Sequence, residues 1–364
     1  MKIAVIGNYG ATNIGDDAIL TAILGELGGH KVTVFSAHPE MTKELFGANA
    51  APLFPLGFRS LYKSGFKKSF HALKKCDAVI LGGGGLFQDN YPYACFLWAW
   101  QIFWIRILRK PLFIYATGVG PINTRIGRHL TRWAYSQADV ITVRDQYSAD
   151  VLQKIGINKE IYVTADPVFL FKRPGTGQGR TNNTYIISLR PWLKYSNRII
   201  DIFTSFLQEL KETKGAEFIF VSMQQIKEQD LQMIEPLVSK LGGELYLPNH
   251  FSDLLQVMET AEFAIGMRFH FMIAAIITQT PLLPVSYAPK TEELFENSEL
   301  RGYVSHAADL SAEKLRTDLK KLSVGYNNAI VYEHTLLKRY RERAEEGVKL
   351  LHNFLKRFDH KKGE

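Results

Sequence analysis

Short apolar runs alternate along this chain with amphipathic stretches long enough to form helices, and this alternation limits the folds that the chain can adopt. A first series of runs stands at 2–6, 32–35, 77–81, 112–116, 139–143 and 161–163, and a second at 185–189, 217–221, 263–265 and 282–285. Strands separated by helix-length segments are typical of βα units, whose strands form parallel sheets covered by helices. The sequence therefore predicts an α/β fold with two doubly wound sheets.

A segment rich in glycine and polar residues separates the two series. It runs from Lys172 to Asn183 without an apolar period, which indicates a linker. We predict an N-terminal Rossmann-like domain over 1–172, a linker over 173–184 and a C-terminal Rossmann-like domain over 185–330. At 331–364, apolar residues recur at helical spacing among many charges, which predicts a long amphipathic helix packed along the domain junction.

The first residues and the cysteine content indicate a cytoplasmic protein. The run from Met1 to Ile6 leads directly into glycine, which leaves no room for the apolar core of a signal peptide. The chain contains two cysteines, Cys76 and Cys95, and we expect both to be free thiols in a reducing compartment.

The net charge of +8 predicts an anionic partner. No signature of a nucleic-acid-binding module accompanies the charge, so we expect no nucleic acid among the partners. A basic amphipathic stretch lies at 58–75, and a tryptophan-rich apolar segment follows at 93–105. That segment is shorter than the ~20 residues needed to cross a bilayer. Two interpretations stay open: helices packed on their own sheet, or peripheral contact with the anionic inner face of a membrane.

Several motifs place charged residues and glycines at the predicted strand ends. The most informative is Gly266-Met267-Arg268-Phe269-His270, which follows one apolar run and precedes the predicted helix around 274–277. In parallel sheets, ligands bind where strands end and helices begin, so this motif puts a fixed cation and a group that titrates near neutral pH at a ligand site. The other motifs are the glycine-rich stretches 7–20, 81–89 and 117–121, Val143-Arg144-Asp145, Ser188-Leu189-Arg190 and Ser286-Tyr287-Ala288-Pro289-Lys290.

In this order and spacing, the motifs resemble those of the polysaccharide pyruvyl transferase family over about residues 1–300. The resemblance implies a GT-B-like fold of two facing Rossmann-like domains with the active site between them. It also implies transfer of the enolpyruvyl group of phosphoenolpyruvate to a sugar of a cell-surface polysaccharide or of its lipid-linked precursor, as a pyruvate ketal. Two positions depart from the family pattern: Asp17 stands where glutamate is commoner, and Ala288 where aspartate is common. Both departures concern the acceptor more than the reaction type.

The C-terminal half matches the family's donor residues. Phosphoenolpyruvate carries a phosphate and a carboxylate, and arginine binds such groups through its planar fork of donors. Arg190, Arg268 and Lys290 follow successive predicted strands, so we expect them to bind phosphoenolpyruvate together. His270 is the candidate catalytic acid, because addition to an enol ether begins with protonation of its methylene carbon. We predict no metal site and no cofactor beyond the donor substrate, since no residues cluster at metal-ligand spacing.

The family resemblance assigns the sugar acceptor to the N-terminal half. The candidate residues are Asp16, Gly83, Gly84, Gln88, Asp89 and Arg144. Glycines allow a bulky ligand to approach the backbone, and the polar side chains offer hydrogen bonds to sugar hydroxyls. Each candidate also has a structural interpretation: a tight turn for the glycines, helix capping for the aspartates and a salt bridge for the arginine.

Two other functions remain open. A GT-B glycosyltransferase with a nucleotide-sugar donor would share the fold and would need an acidic residue for the ribose, for which Glu292 and Glu293 are eligible. A non-catalytic glycan-binding protein would need neither His270 nor the three cations. The chain contains all four residues, which favours an enzyme over a non-catalytic glycan-binding protein.

Overall fold

The computed structural model describes residues 1–57, 64–89, 93–175, 179–224 and 227–359. The chain divides into two compact units. Unit 1 comprises Met1–Ala11, Ile19–Leu170 and Tyr340–Glu364, and unit 2 comprises Thr12–Ala18 and Phe171–Arg339. No helix in the described part of the chain is both long enough and apolar enough to cross a membrane.

Unit 1 is built on a parallel sheet. Its strands are β1 (Lys2–Ile6), β2 (Lys31–Ser36), β3 (Asn49–Pro52), β4 (Ala78–Gly82), β5 (Gly85–Phe87), β6 (Leu112–Val119), β7 (Val140–Val143) and β8 (Ile161–Val163). Their spatial order is β3-β2-β1-β4-β6-β7-β8, and β5 pairs with β6. The central strands β4 and β6 are buried along their whole length, as expected where helices cover both faces of a sheet.

Within the described residues, six helices connect these strands: α1 (Ile14–Glu26), α2 (Pro39–Phe46), α3 (Ser64–Lys74), α4 (Ala94–Ile107), α5 (Arg125–Ser136) and α6 (Gln146–Lys154). Of these, α3, α4 and α5 pack side by side. Trp104 of α4 meets Phe66 and Phe70 of α3, with ring centroids 4.8 and 6.2 Å apart. Thr131 of α5 lies 3.7 Å from the thiol of Cys95 in α4. We call this group of helices the α3–α4–α5 layer.

Unit 2 contains a second parallel sheet. Its strands are β9 (Thr181–Ser188), β10 (Glu217–Val221), β11 (Glu244–Tyr246), β12 (Ala261–Gly266), β13 (Leu282–Ser286) and β14 (Ser305–His306). The spatial order is β11-β10-β9-β12-β13-β14. Because β9, β12 and β13 are parallel neighbours, their carboxyl ends lie side by side at one edge of the sheet.

The helices after β9 are α7 (Ser196–Lys214), α8 (Gln232–Leu241), α9 (Phe251–Thr260), α10 (Phe269–Thr278), α11 (Pro289–Leu294), α12 (Ala312–Val324) and α13 (Tyr326–Asp359). Within α10, nine of the ten residues are buried, which explains the nearly continuous apolar sequence of this helix. His270 is the exception, and it is half-buried.

Every strand predicted from the apolar runs is present, with bounds that differ by up to four residues. The apolar runs do not predict β3, β5, β11 and β14. These strands are two to four residues long, too short to show a period in the sequence.

The two units differ from the predicted domains in three places. Thr12–Ala18 belongs to unit 2, because Ile14 N donates to Met223 O over 3.0 Å. The last helix begins at Tyr326, and its residues from Tyr340 onward belong to unit 1. The predicted linker at 173–184 overlaps β9, which starts at Thr181, and its residues 176–178 lie outside the described part of the chain.

Candidate functional site

The carboxyl ends of β9, β12 and β13 bring the three predicted donor-binding cations to one edge of the unit 2 sheet. Arg190 and Arg268 each stand two residues beyond a strand, β9 and β12 respectively. Lys290 lies in the first turn of α11, after β13. The three side chains therefore start from the edge at which α/β proteins bind their ligands.

Tyr287 lies between two of these cations. Arg190 Nη1 donates to the Tyr287 hydroxyl over 2.7 Å, and the guanidinium carbon is 4.7 Å from the centre of the Tyr287 ring. Lys290 Nζ is 5.7 Å from the same centre and 6.0 Å from that of Phe269. Burial raises the pKa of the Tyr287 hydroxyl, but Lys290, Arg190 and Arg268 outweigh burial and lower this pKa to about 8. All three cations thus act on one phenol.

Arg268 is buried and paired with the carboxylate of Asp230. Arg268 Nε donates to Asp230 Oδ1 and Oδ2 over 2.8 and 3.0 Å, and Nη2 contacts the same carboxylate. The amides of Met223 and Gln224 donate to Asp230 Oδ2 over 2.9 and 3.2 Å, while Gln224 Oε1 accepts from Arg268 Nη2 over 3.1 Å. Burial raises the pKa of Asp230, and Arg268 opposes this shift. Asp230 therefore both orients Arg268 and offsets its charge.

His270 is the second residue of α10, and its ring lies against Gly15 at the start of α1. A β-carbon built on Gly15 would stand 2.0 Å from His270 Nδ1, whereas ordinary contacts of a β-carbon are 3.4 Å or longer. A residue with a side chain at position 15 would therefore displace the imidazole. Gly15, in the first turn of α1, thus makes room for the candidate acid.

Asp16, the candidate acceptor residue of unit 2, lies in the first turn of α1. Asn13 Nδ2 donates to Asp16 Oδ2 over 3.0 Å, and Asn13 Oδ1 accepts from Gly15 N over 3.1 Å. The amide of Ile14 donates to Met223 O over 3.0 Å. A carboxylate in a first turn stabilises its helix, so Asp16 has a structural role, and it also stands next to the glycine that contacts His270.

Gly83 and Gly84 form a turn after β4 in unit 1. Their φ angles are 74° and 72°, in the left-handed region. A β-carbon on Gly83 would stand 2.0 Å from Ile19 Cγ2, and Gly84 O accepts from Gly118 N over 2.9 Å. Backbone conformation and close packing therefore account for both glycines without a ligand.

Gln88 and Asp89, the polar candidates after β5, contact nearby backbone groups. Gln88 Nε2 donates to Gly85 O over 3.1 Å. Asp89 Oδ2 accepts from the amides of Asn123 and Thr124, each over 2.6 Å. Asp89 thus supports the loop that leads into α5.

Arg144 is buried in unit 1 among carboxylates. Its Nη1 lies 3.1 Å from Asp166 Oδ2, and its Nε lies 3.4 Å from Asp145 Oδ2. A β-carbon on Gly118 would stand 2.8 Å from Arg144 Nη2, so this glycine leaves room for the guanidinium. These contacts agree with the structural interpretation of Arg144, in which it forms a salt bridge.

Sequence reasoning gave no role to Tyr287 or Asp230. Tyr287 lies inside the quoted Ser-Tyr-Ala-Pro-Lys motif, three residues before Lys290, and that proximity was an available signal. Asp230 is 38 residues from Arg268, and no local pattern links the two.

Cations predominate among the groups that converge on Tyr287. Arg190, Arg268 and Lys290 contribute three positive charges, Asp230 pairs with Arg268, and Glu292 in the first turn of α11 accepts from Ser286 at the end of β13. In the described part of the chain, no three His, Cys, Asp or Glu side chains group in a way that could hold a metal ion. The arrangement suits an anionic ligand beside a titratable imidazole.

The fold is similar to that of several solved proteins. HepE of Anabaena, solved with UDP and glucose, matches 98% of this chain and 99% of its own with a TM-score of 0.65 and 12% identity. UDP-GlcNAc 2-epimerase of Methanocaldococcus jannaschii matches 88% of this chain and 92% of its own, with a TM-score of 0.54 and 13% identity. MurG of Acinetobacter baumannii has a TM-score of 0.52 at 12% identity, over 97% and 99% of the two chains. The chain has an α/β fold of the GT-B type with two Rossmann-like units.

Comparison of sequences identifies the family. The amylovoran biosynthesis protein AmsJ of Erwinia amylovora is 24% identical over 208 residues, which are 47% of this chain and 49% of AmsJ. The chain thus spans about half the length of this relative. The model of the family described as "Polysaccharide pyruvyl transferase" matches residues 13–289. This range includes Asp16, Arg190, Arg268 and His270, and it ends one residue before Lys290. This chain therefore belongs to the polysaccharide pyruvyl transferase family.

Proposed function

We propose that the chain transfers the enolpyruvyl group of phosphoenolpyruvate to a sugar of a cell-surface polysaccharide or of its lipid-linked precursor, forms a pyruvate ketal and releases phosphate. The observation that carries the proposal is the convergence of Arg190, Arg268 and Lys290 on Tyr287, in the unit that also holds His270. Family membership and the relative in amylovoran biosynthesis support a role in polysaccharide synthesis.

In this proposal the donor lies at the carboxyl ends of β9, β12 and β13. Arg190 and Lys290 bind its phosphate and carboxylate, because both lie against the Tyr287 ring at this edge of the sheet. Arg268 gives Nε and Nη2 to protein acceptors and offers Nη1 to the donor. A fixed guanidinium loses little freedom on binding, which favours affinity.

His270 supplies the proton that starts the reaction. The proton goes to the methylene carbon of phosphoenolpyruvate, which becomes a methyl group, and the adjacent carbon becomes an oxocarbenium-like electrophile. A first sugar hydroxyl forms a bond to that carbon and returns its proton to the histidine. The second hydroxyl then bonds to the same carbon, the carbon–oxygen bond to phosphate breaks, and the second hydroxyl proton leaves with the phosphate. No cofactor enters this scheme.

Among the acceptor candidates, Asp16 is best placed to orient a hydroxyl. It is two residues from Ile14 in the first turn of α1, and the neighbouring Gly15 contacts His270. Gly83, Gly84 and Gln88 remain proposed contacts of the sugar through the glycine backbone and the amide side chain. Asp89 and Arg144 are committed to backbone amides and buried carboxylates, so we propose that they act by supporting the unit 1 loops.

The nucleotide-sugar alternative receives less support from the contacts in unit 2. It needs a carboxylate for the ribose, yet Glu292 Oε1 accepts from Ser286 Oγ over 3.1 Å and lies 3.4 Å from His306 Nδ1. A non-catalytic glycan-binding protein has no need for three converging cations, since neutral sugars bind through hydrogen bonds.

Release of inorganic phosphate tests the proposal. The protein is incubated with phosphoenolpyruvate and a panel of oligosaccharide and lipid-linked acceptors, and in a parallel arm with UDP-sugars in place of phosphoenolpyruvate. We expect phosphate release that depends on one acceptor, with a mass gain of a pyruvate ketal on that acceptor. Release of UDP in the parallel arm, with no phosphate in the first, would assign the chain to the nucleotide-sugar alternative.

A further inference from the structure

The excess positive charge of the chain lies in one stretch of unit 1. Residues 45–138 contain 12 Lys and Arg but only two acidic residues, Asp77 and Asp89, a net charge of +10. Since the whole chain carries +8, the remainder carries −2. The stretch includes the α3–α4–α5 layer, and none of its three helices contains an Asp or Glu. The excess charge therefore belongs mainly to one group of packed helices.

Helix α5 presents two kinds of side chain on its exposed face. With a turn of about 100° per residue, Arg125, Arg128 and Arg132 lie along one edge of that face, and Ile126 and Trp133 lie along the other. All five are exposed, Ile126 by 73% and Trp133 by 36%. A cationic edge beside an apolar edge is the pattern of a helix that lies in the interface of a membrane.

The arginines of α5 are not paired with carboxylates in the described part of the chain. Among the ion pairs of the described residues, none involves Arg125, Arg128 or Arg132. Arg128 donates to the carbonyl oxygens of Ile122 and Asn123 over 3.2 and 3.1 Å, which are neutral partners. A surface arginine that serves only solubility is commonly interspersed with acids, whereas α5 contains none, and Asp89 at its N-terminus accepts from backbone amides.

Two exposed aromatic residues at the start of α4 extend this surface. Tyr93 is 74% exposed and Phe96 is 42% exposed. Between them lies Cys95, whose thiol is 3.7 Å from the Thr131 hydroxyl of α5, so this end of α4 adjoins α5. Aromatic side chains of this kind are enriched where proteins meet the headgroup region of a bilayer.

The structure retains only the start of the tryptophan-rich segment, Tyr93 and Phe96, in the candidate membrane contact. Trp98 and Trp100 of the tryptophan-rich segment are buried, and Phe66 of the basic stretch packs on Trp104. Residues 58–63 of that stretch, which include Arg59 and Lys63, lie outside the described part of the chain. The packed-helix interpretation therefore describes the buried tryptophans and Phe66, and the exposed apolar side chains lie on α5 and at the start of α4.

We propose that the surface formed by α5 and the start of α4, here called the α5 surface, binds the face of an anionic phospholipid bilayer. The arginines contact lipid phosphates, and Ile126, Trp133, Tyr93 and Phe96 enter the headgroup region. Binding without a spanning helix holds the protein at the surface where a lipid-linked sugar would be found. The proposal depends on charge and exposure in unit 1, and it stands or falls separately from the proposed reaction.

Flotation with vesicles tests the α5 surface. The full-length protein is mixed with vesicles of phosphatidylcholine containing about 30% phosphatidylglycerol, and with pure phosphatidylcholine vesicles. We expect binding to the anionic vesicles only, with release between about 0.05 and 0.5 M salt as the charges become screened. Arg125→Glu with Arg132→Glu should lower the vesicle partition coefficient roughly 30-fold or more, since each lost cation costs about a factor of five.

The matched control reverses the charge of two exposed lysines in unit 2. Lys214→Glu with Lys240→Glu changes the net charge by the same amount on exposed positions of α7 and α8 in unit 2, and it should bind vesicles as the parent does. Thermal unfolding of both double variants checks that each is folded. If the two double variants bind equally, or if the parent ignores anionic vesicles at low salt, the α5 surface is not the binding site.

Quenching by brominated lipids tests the apolar edge separately. Bromine in the upper acyl chain quenches tryptophans that enter the headgroup region, and Trp133 is the exposed tryptophan of α5. We expect quenching in the parent and its loss in Trp133→Phe. Equal quenching in both proteins would overturn the assignment to lipid. The absence of quenching in the parent, together with its displacement from vesicles by duplex DNA, would also overturn it.

Discussion

Replacing Gly15 with alanine should inactivate the protein by displacing His270. The added β-carbon would stand 2.0 Å from His270 Nδ1, against an ordinary minimum of 3.4 Å, so one of the two groups must move by about 1.4 Å. A shift of about 1 Å in a catalytic group costs roughly 100-fold in rate, because proton transfer requires close alignment. We therefore expect kcat for phosphate release to fall by about that factor or more.

Stability separates this effect from a general disturbance of α1. Glycine to alanine inside a helix normally adds up to ~1 kcal/mol of stability, whereas a clash in a packed site costs about 1–3 kcal/mol. Gly25 lies in the same helix with nothing within 4 Å of a built β-carbon. Gly25→Ala should thus keep full activity and gain stability, while Gly15→Ala should lose both.

A double-mutant cycle identifies His270 as the group that Gly15→Ala displaces. In a His270→Ala background, no imidazole is present for the added β-carbon to clash with. Gly15→Ala should therefore no longer lower the free energy of unfolding measured by chemical denaturation. Full activity of Gly15→Ala, or the same loss of stability with and without the imidazole, would refute the contact between Gly15 and His270.

Three further predictions concern charges in unit 2. Arg268→Lys should lower the free energy of unfolding by about 2–4 kcal/mol, because lysine cannot reproduce the paired contact with buried Asp230; an unchanged denaturation midpoint would contradict the pairing. The KM for phosphoenolpyruvate should rise as pH passes about 8, since deprotonated Tyr287 cancels part of the charge of its cationic neighbours. Tyr287→Phe should remove that rise, and identical pH profiles would exclude this phenol as its source. Glu333 is buried and accepts from Leu282 N over 3.0 Å, and burial raises its pKa well above the usual range. Such a group stabilises the fold below its unfolded pKa of about 4.3, and the stabilisation is lost as pH rises toward the native pKa. Glu333→Gln should therefore flatten the decline of unfolding free energy above about pH 4.3, and parallel curves would place the decline elsewhere.

The strands of both sheets could be predicted because each long, buried strand leaves a continuous apolar run. The run at 77–81 predicts β4, which is buried throughout. Because the strands are parallel, Arg190, Arg268 and Lys290 share one sheet edge, and this part of the site could be predicted from the sequence.

The contacts that complete the site depend on long-range packing. Asp230 reaches Arg268 across 38 residues, and Gly15 meets His270 across 255. Neither contact has a local period or spacing that could reveal it. Asp89 and Arg144 show the opposite case: their residue types fit a sugar site, yet the fold commits them to backbone amides and to buried carboxylates.

Local sequence patterns also do not reveal how the chain divides into units. A glycine-rich loop after β1 is expected to stay with the β1 sheet, but Thr12–Ala18 packs into unit 2. The last helix continues through Tyr340 without a break in its amphipathic spacing, so the sequence offers no sign that its two parts belong to different units.

The central claim is that this chain moves the enolpyruvyl group with His270 as the acid, and one paired measurement tests it most directly. Wild-type protein and a folded His270→Ala variant are incubated with phosphoenolpyruvate and the acceptor, and phosphate release and acceptor mass are followed together. We expect the wild type to release one phosphate for each pyruvate ketal formed, and the variant to produce neither. Ketal formation by the variant at the wild-type rate would contradict the role of His270, and the absence of any ketal with wild-type protein across the acceptor panel would contradict the proposed reaction.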